Sequence, residues 1–233
     1  MLLGSQLRRL RKSSGVTRDA AGYMIRGSES KIARMELGRV GFKERDVTDL
    51  LDLCQVTDPI ERQTILGLAR QANAPAWWHQ YHDILPPWFQ NYLGLEGAAT
   101  TIRTYEVQFV PGLLQTADYA DAVVRLGHGR DAPADIRRRV QLRIDRQQIL
   151  HREAPPAPHV HAILDEAALR RPMGNLDVLR EQIQFLVDLT ELPNISLQIL
   201  PFHMGGSVAA GGAFTVVGFQ DHAVPDVVYV EQL

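Results

Sequence analysis

The sequence predicts two folded parts, an all-α N-terminal domain of five helices and a mixed α/β (α+β) domain after it. Two observations support this prediction. Through residues 1–73, apolar residues recur at helical spacing between capping residues and glycines. Over residues 93–233, helical stretches alternate with short segments rich in β-branched residues. Residues 74–92 separate the two parts and contain all three tryptophans.

The N-terminal helices are predicted from apolar spacing and from end signals. A Ser or Thr precedes the second and third helices, where its side chain can accept a hydrogen bond from a free backbone N–H. Asp58-Pro59 opens the fifth helix in the same way. The predicted helices run from Leu3 to Ser13-Ser14-Gly15, over residues 18–25 after Thr17, over residues 29–37 after Ser28, over residues 44–53, and over residues 59–73.

Charge is distributed unevenly along the chain. The net charge of the whole chain is −2 at pH 7, but residues 1–45 contain eleven Lys and Arg against four acids, a net charge of +7. The remaining 188 residues have a net charge of −9. A compact basic segment on an acidic body is typical of a domain that binds a polyanion, and a merely solvated helix face is the alternative interpretation.

Length and composition limit the class of protein. A chain of 233 residues with 45% hydrophobic and 22% charged residues is typical of a globular protein. The N-terminus lacks the apolar stretch of a secretory signal, and the chain contains no run of about 18 apolar residues. Cys54 is the single cysteine, so no internal disulfide is expected. We therefore expect a cytoplasmic protein that does not enter a membrane.

The second part has a less regular pattern. The aromatic stretch of residues 77–92 predicts core or interdomain packing, with a ligand platform as the alternative. Helices are predicted over residues 93–99, 116–126, 134–150 and 176–191. Strands are predicted over residues 102–107, 159–164, 195–200, 214–219 and 227–230.

The second and third helices, with the short glycine-containing turn between them, predict a helix-turn-helix. The segment from Thr17 to Gly22 and the string from Ser28 to Gly38 resemble the helix-turn-helix of the Xre family, which includes phage repressors and Cro-like proteins. In that family Gln often follows the capping Thr, whereas this chain has Arg18. The resemblance implies a DNA-binding domain over residues 1–73.

The body resembles the regulatory half of actinobacterial WhiJ-type proteins, also described as antitoxin-like regulators. Such relatives continue past the last strand, so we expect the body to be truncated at Leu233. The strings that carry this resemblance are residues 42–47, 77–79, 107–116, 165–172 and 225–231.

The third helix is expected to enter the major groove. Ser28, Glu29, Ser30 and Lys31 then approach base edges, and Arg34, one turn further on, reaches a guanine edge or the backbone. Lys31 and Arg34 are the main candidates, with a phosphate contact or a solvated side chain as the alternative for Arg34. Glu29 either accepts from cytosine N4 or only favours the helix N-terminus.

Three cations flank the expected groove: Arg18, Arg39 and Lys43. They are expected to contact phosphates, which positions the protein without reading sequence. Glu36 resembles the inward-facing acid of the Xre family, and the resemblance implies a structural role in which Arg8 or Arg11 of the first helix is its partner.

Signals for catalysis or metal binding are weak. The chain lacks the His-Glu-x-x-His, nucleophile-elbow and phosphate-loop patterns. The pairs His159 with His161 and His79 with His82 have suitable spacings, but neither pair has an assigned third ligand. Within residues 165–171, the acids and arginines predict capping and ion pairing. We therefore expect no catalytic residue, metal or cofactor, and no enzyme.

These observations predict a sequence-specific DNA-binding transcriptional regulator whose second domain senses or docks a partner. Since one recognition helix reads only a few base pairs, a homodimer on a palindromic operator is expected. The resemblance implies a small protein partner encoded nearby. One alternative is an antitoxin-like interaction module that neutralises such a partner and binds DNA only for autoregulation. Another is a regulator that responds to a small molecule at the aromatic stretch.

Overall fold

The computed structural model describes residues 2–38, 40–73, 76–205, 212–220 and 225–230. The described residues form two compact units, which divide between Trp77 and Trp78. The first unit is helical, and the second contains a five-stranded mixed sheet with helices. The predicted fold class, an all-α domain followed by a mixed α/β domain, is confirmed.

The helices of the first unit begin and end close to the predicted residues. Thr17 Oγ1 accepts a hydrogen bond from the N–H of Ala20 at 3.1 Å, and Ser28 Oγ accepts one from the N–H of Lys31 at 3.2 Å. Both predicted caps are therefore confirmed, and each stabilises its helix by about 1 kcal/mol. The helices are α1 (Leu2–Ser13), α2 (Arg18–Met24), α3 (Glu29–Glu36), α4 (Glu44–Leu53) and α5 (Pro59–Asn73).

One apolar core joins these helices. Every helix contributes buried side chains to it, and full burial of each Leu or Ile contributes about 1.5–3 kcal/mol. The core includes Leu3 and Leu7 of α1, Ala21 of α2, Ile32 and Met35 of α3, Val47 and Leu51 of α4, and Ile65 and Ala69 of α5.

Two glycines allow α3 to pack closely against its neighbours. A Cβ on Gly4 of α1 would lie 2.7 Å from the carbonyl oxygen of Glu36, at the end of α3. A Cβ on Gly22 of α2 would lie 2.8 Å from the carbonyl carbon of Ser28, which precedes α3. Because both neighbours are backbone atoms, the packing of α3 requires residues without a side chain at these two positions.

The second unit is built around a sheet with the strand order β3-β2-β1-β4-β5. The first three strands are parallel to one another, and β4 and β5 are antiparallel to their neighbours. The strands are β1 (Thr101–Glu106), β2 (His159–Asp165), β3 (Ile195–Leu200), β4 (Phe214–Gly218) and β5 (Val227–Tyr229). The helices are α6 (Pro87–Gly97), α7 (Ala117–His128), α8 (Pro133–Arg146), α9 (Glu166–Arg170) and α10 (Leu176–Leu189).

The structure differs from the prediction at several helix ends. α6 begins at Pro87 rather than at residue 93, because proline is well suited to the first position of a helix. α8 ends at Arg146, and the predicted remainder forms a short 3₁₀ helix, Gln147–His151. α9 was not predicted as a helix, but Asp165 caps it as expected, since its carboxylate accepts from the N–H of Ala167 at 2.9 Å.

The aromatic stretch contributes to the core of the second unit. Tyr81 and Leu85 are buried in one cluster with Leu93 of α6 and Leu142 of α8. The hydroxyl of Tyr81 donates to the carboxylate of Asp145 at 2.7 Å, and burial together with this bond raises the pKa of Tyr81 to about 12. Residues 78–85 therefore pack against α6 and α8.

Candidate nucleic-acid interface

The segment from α2 to α3 has helix-turn-helix geometry. The turn is residues 25–28, in which Ile25 is buried and Arg26 has a left-handed backbone with φ of 53°. The N–H of Gly27 donates to the carbonyl of Gly22 at 2.8 Å and closes the end of α2. Together with the close packing of Gly22 against the backbone of Ser28, this turn fixes the angle between α2 and α3.

The helix α3 has a buried face and an exposed face. Ile32, Met35 and Glu36 are buried within the first unit. Ser28 before the helix, Glu29 and Ser30 in its first turn, and Arg34 one turn later are exposed. We call these four residues the α3 surface. Four of the eight predicted DNA-binding residues are thus exposed on α3 or directly before it.

Glu36 lies at the buried end of α3, between two arginines. Its carboxylate accepts from Arg11 Nε at 2.5 Å and from Arg18 Nε at 3.0 Å. Burial alone would raise the pKa of Glu36, but the hydrogen bonds and positive charges of the two arginines outweigh it and lower the pKa below its ordinary value of 4.5. Pairing with Arg8 or Arg11 of α1 was predicted, and the structure shows that Arg11 is the partner.

Lys31 is held by the neighbouring helix. Its Nζ lies 2.6 Å from the carboxylate of Asp46, whose side chain is only 1% exposed in the first turn of α4. Arg45 lies 3.5 Å from the same carboxylate. Because a buried carboxylate needs a charged partner, this ion pair links α3 to α4 and competes with the predicted approach of Lys31 to base edges.

Arg34 extends from the α3 surface into solvent. Its Nε donates weakly to the carbonyl of Ser30 at 3.4 Å, and within the described ranges it forms no ion pair with an acid. A guanidinium with this exposure can accept a new partner without losing an existing strong bond. Arg34 can therefore contact DNA without breaking a strong bond, whereas Lys31 would have to leave its ion pair with Asp46.

The other predicted phosphate contacts have different environments. Arg18 is half-buried because it reaches Glu36, so only part of its guanidinium faces solvent. Lys43 is exposed at the N-cap position of α4, where its side chain makes no capping hydrogen bond. Arg39 lies outside the described residues.

Sequence reasoning missed two features near α3. Arg26, in the turn itself, is 69% exposed and lies 3.3 Å from Asp49, so it adds positive charge beside the α3 surface. Asp46 was not singled out because an acid in the first turn of a helix has an ordinary explanation in the helix dipole. Its burial, and not its position in the sequence, identifies it as the partner of Lys31.

The histidine pairs do not form a larger cluster. The rings of His79 and His82 stack at 5.2 Å, and His161 lies 3.1 Å from the side-chain oxygen of Gln198. Among the residues that the structure describes, no group of three or more His, Cys, Asp or Glu is arranged to hold a metal ion. In the same part of the chain, no helix is long and apolar enough to span a membrane.

Comparison with known families covers both units. A helix-turn-helix domain family matches residues 2–65, and a family described as a domain of unknown function, DUF5753, matches residues 89–233. No curated protein and no solved structure matches the chain. The helix-turn-helix match and the geometry of α2 and α3 indicate a DNA-binding regulator. The chain belongs to the family of the DUF5753 domain of unknown function, which it joins to an N-terminal helix-turn-helix domain.

Proposed function

We propose that this protein is a sequence-specific transcriptional regulator that reads an operator in the major groove with the α3 surface. The observation that carries the proposal is the exposure of Ser28, Glu29, Ser30 and Arg34 on a helix whose opposite face is buried. A helix in this position of a helix-turn-helix presents its N-terminal residues to base edges.

Within the α3 surface, Arg34 is the strongest candidate for reading a base. Its guanidinium is exposed and has the paired N–H groups that match the O6 and N7 acceptors of guanine. Ser30 suits either a base edge or a phosphate, and Glu29 suits the N4 amino group of cytosine. Lys31 has a second role in the proposal: it holds α3 against Asp46 and so sets the angle of the helix.

Phosphate contacts would come from cations that precede or follow α3 in the chain. Arg18, Arg39 and Lys43 are the proposed contacts, and exposed Arg26 joins them. Such contacts strengthen binding to any DNA and make it sensitive to salt. A homodimer would place two α3 helices about 34 Å apart, one turn of DNA, and thereby read a palindrome.

The second unit would regulate the first. The body's resemblance to WhiJ-type and antitoxin-like regulators supports a role in sensing or docking a partner in the cytoplasm, and a small protein encoded nearby is the proposed partner.

The proposal is tested by titrating the full chain with DNA from upstream of its own gene and with scrambled DNA of equal length, at two salt concentrations. We expect preference for the upstream DNA and weaker binding at higher salt. Arg34→Ala should lower the affinity for the upstream DNA by about tenfold, while binding to scrambled DNA changes little.

Arg70→Ala is the matched control. Arg70 is an exposed arginine on α5 whose Nε, like that of Arg34, donates at 3.4 Å to the carbonyl four residues earlier, and it also lies 3.9 Å from Glu44. The Arg70→Ala substitution should leave the preference for the upstream DNA unchanged. Equal affinity of the wild type for both DNAs would contradict sequence-specific reading. Equal effects of the two substitutions would contradict the role of Arg34. Equal affinity of the wild type for both DNAs would favour the antitoxin-like interaction module, for which retention of a small protein partner by the chain is the next measurement.

A further inference from the structure

The second unit contains a large cavity at one end of its sheet. The cavity has a volume of about 1250 Å³, and every described residue of its lining belongs to this unit. The lining includes the chain that follows β1, Asp165 at the end of β2, and Leu200 at the end of β3. The cavity therefore lies at the carboxyl ends of the parallel strands, which is where open sheets of parallel strands bind ligands.

The wall that follows β1 has little regular structure, yet buried side chains hold it in place. Gln115 is 1% exposed, and its amide nitrogen donates to the carbonyl of Val110 at 2.7 Å. The N–H of Val110 donates to the hydroxyl of Tyr119 of α7 at 3.2 Å. Gln182 of α10 is fully buried and donates to the carbonyl of Leu114 at 2.7 Å.

These hydrogen bonds join the wall to α7 and α10. A connecting segment that is fixed by buried glutamines is pre-organised, so a ligand would not have to order it on binding. The volume of the cavity exceeds the range of about 300–1,000 Å³ that is usual for small-molecule sites. The cavity therefore has room for an organic molecule of drug size.

Most of the surface inside the cavity is apolar. Four large apolar side chains of the lining are exposed: Trp88, Leu126, Phe202 and Phe214. Contact of such surface with water is unfavourable, and covering it contributes about 25 cal/mol per Å². A ligand that covers these side chains therefore gains most from an apolar body.

Aromatic rings form one part of the apolar lining. Trp88 and Tyr92 of α6 both pack on Tyr229 of β5, with ring centroids 6.0 and 4.6 Å from that of Tyr229. Because its neighbours hold the ring of Trp88 while about half of the side chain stays exposed, Trp88 offers a flat surface to a ligand. Flat rings of a ligand pack well on such a surface.

The cations of the lining are paired. Arg146 of α8 donates to Glu96 at 2.7 and 3.0 Å, and Arg139 of the same helix donates to Asp131 at 3.3 Å. His128, at the end of α7, lies 3.2 Å from the same carboxylate of Asp131. These side chains therefore have their counter-charges within the protein.

The remaining charged residues of the described lining also have partners. Arg143 donates to the side-chain oxygen of buried Gln115 at 3.1 Å, and Glu106 also has an interaction partner. Asp165 accepts from the N–H of Ala167 at 2.9 Å, which caps α9. A charged ligand would thus compete with existing partners in this part of the lining, and burial of an unpaired charge is costly. The lining favours a ligand without a charge.

We propose that this cavity binds a neutral, largely apolar organic molecule with a flat ring system, which lies against Trp88 and covers Leu126. The proposal goes beyond DNA binding and does not depend on it, because the described residues of the site all belong to the second unit. A chain that fails to select DNA can still bind this molecule.

Two fluorescent probes test the proposal on the full chain. One is N-phenyl-1-naphthylamine, which is neutral, and the other is 8-anilinonaphthalene-1-sulfonate, which has the same rings and a negative charge. We expect saturable binding of one molecule of the neutral probe per chain and weaker binding of the anion. Trp88→Leu should weaken the neutral probe by about tenfold, because a leucine side chain offers no flat ring for the probe to pack on.

A pair of leucines provides a second test with a matched control. Leu126 of α7 and Leu176 of α10 are each 66% exposed, but Leu126 lines the cavity and Leu176 does not. Leu126→Asp should weaken the neutral probe by about threefold or more, because it places a charge against an apolar ligand. Leu176→Asp should leave the affinity unchanged. Since both side chains are exposed, neither substitution removes a buried contact from the core.

Three results would overturn the proposal. The first is the absence of saturable binding of the neutral probe to the wild type, which would leave the cavity to a segment of a partner protein. The second is tighter binding of the anion than of the neutral probe, because the site would then select charge. The third is an equal affinity of the wild type and Leu126→Asp for the neutral probe, or an equal loss in Leu126→Asp and Leu176→Asp, because the probe would then bind outside the cavity.

Discussion

The carboxylate of Glu36 offers the clearest test of how the recognition helix is held. Its side chain is 3% exposed and contacts Arg11, which is 10% exposed, and Arg18, which is 36% exposed. Glu36→Gln keeps the size of the side chain and removes its charge. The substitution therefore leaves the buried guanidinium of Arg11 without its anionic partner, although the bond from Arg11 to the carbonyl of Val16 remains.

The expected loss of stability follows from the burial of the two partners. Breaking a buried ion pair by removing one charge costs about 3–5 kcal/mol. Arg18 is partly solvated, so its lost contact adds at most about 1 kcal/mol. Because glutamine still accepts one hydrogen bond, we expect a loss near the lower limit, about 3 kcal/mol. For a domain of this size, such a loss lowers the Tm by roughly 12–24 °C.

Hydrogen exchange followed by peptide mass spectrometry measures this loss in the first unit of the intact chain. Peptides from α1 and α3 should exchange much faster in Glu36→Gln, because their exchange follows the free energy of opening. Glu44→Gln is the matched control, since Glu44 is 55% exposed and lies 3.9 Å from exposed Arg70. It should cost less than about 0.5 kcal/mol. A loss below about 1 kcal/mol in Glu36→Gln, or equal losses in the two variants, would refute the reasoning.

Three further predictions concern the pH dependence of stability, the hydrogen bonds of Gln182 and the close packing at Gly22. The pKa of Glu36 is lower in the folded state than its ordinary value of 4.5. The ionised carboxylate therefore stabilises the fold fully above that pH, and this contribution is lost on acidification. Urea unfolding between pH 3 and 6 should show a steeper fall in the free energy of unfolding for the wild type than for Glu36→Gln. Gln182→Leu should destabilise the second unit by about 2–4 kcal/mol in urea unfolding, because it removes the partner of the buried carbonyl of Leu114 and of the partly buried N–H of Thr116. Gln184 is exposed on the same helix, so Gln184→Leu should change the stability by less than about 0.5 kcal/mol. Gly22→Ala should cost about 1–3 kcal/mol despite its helix propensity, while Gly67→Ala, with no atom within 4 Å of its Cβ, should stabilise α5 by up to about 1 kcal/mol.

The helices and strands were largely predictable because their signals are local. Thr17 and Ser28 cap the helices that follow them, and the β-branched segments after residue 100 form strands close to their predicted bounds. The start of α6 was less predictable, because Pro86-Pro87 resembles an interruption as much as a helix start. Helix capping and the alternation of apolar and polar residues along a strand both depend on residues only a few positions apart. Both can therefore be identified in a sequence.

The partners of the charged residues were less predictable. Glu36 was expected to pair with α1 because the family resemblance supplied its inward orientation, and Arg11 proved to be the partner. The pairing of Lys31 with Asp46 depends on how α3 packs on α4, and a single sequence does not give that packing angle. The same holds for Gln182, which reaches the backbone of Leu114 and Thr116 only because α10 packs beside the chain that follows β1.

The two possible roles of Lys31 can be separated by replacing the ion pair as a whole. Lys31→Met alone should cost about 3–5 kcal/mol, because the buried carboxylate of Asp46 loses its close partner and, among the described residues, keeps exposed Arg45 at 3.5 Å. The double substitution Lys31→Met with Asp46→Leu should recover most of that loss in urea unfolding, since an apolar pair of similar volume can replace a buried ion pair. If Lys31 positions α3, the double variant should also regain selective binding to the upstream DNA. If Lys31 reads a base, the double variant should be stable and yet unselective, and its role in holding α3 would then be secondary to recognition.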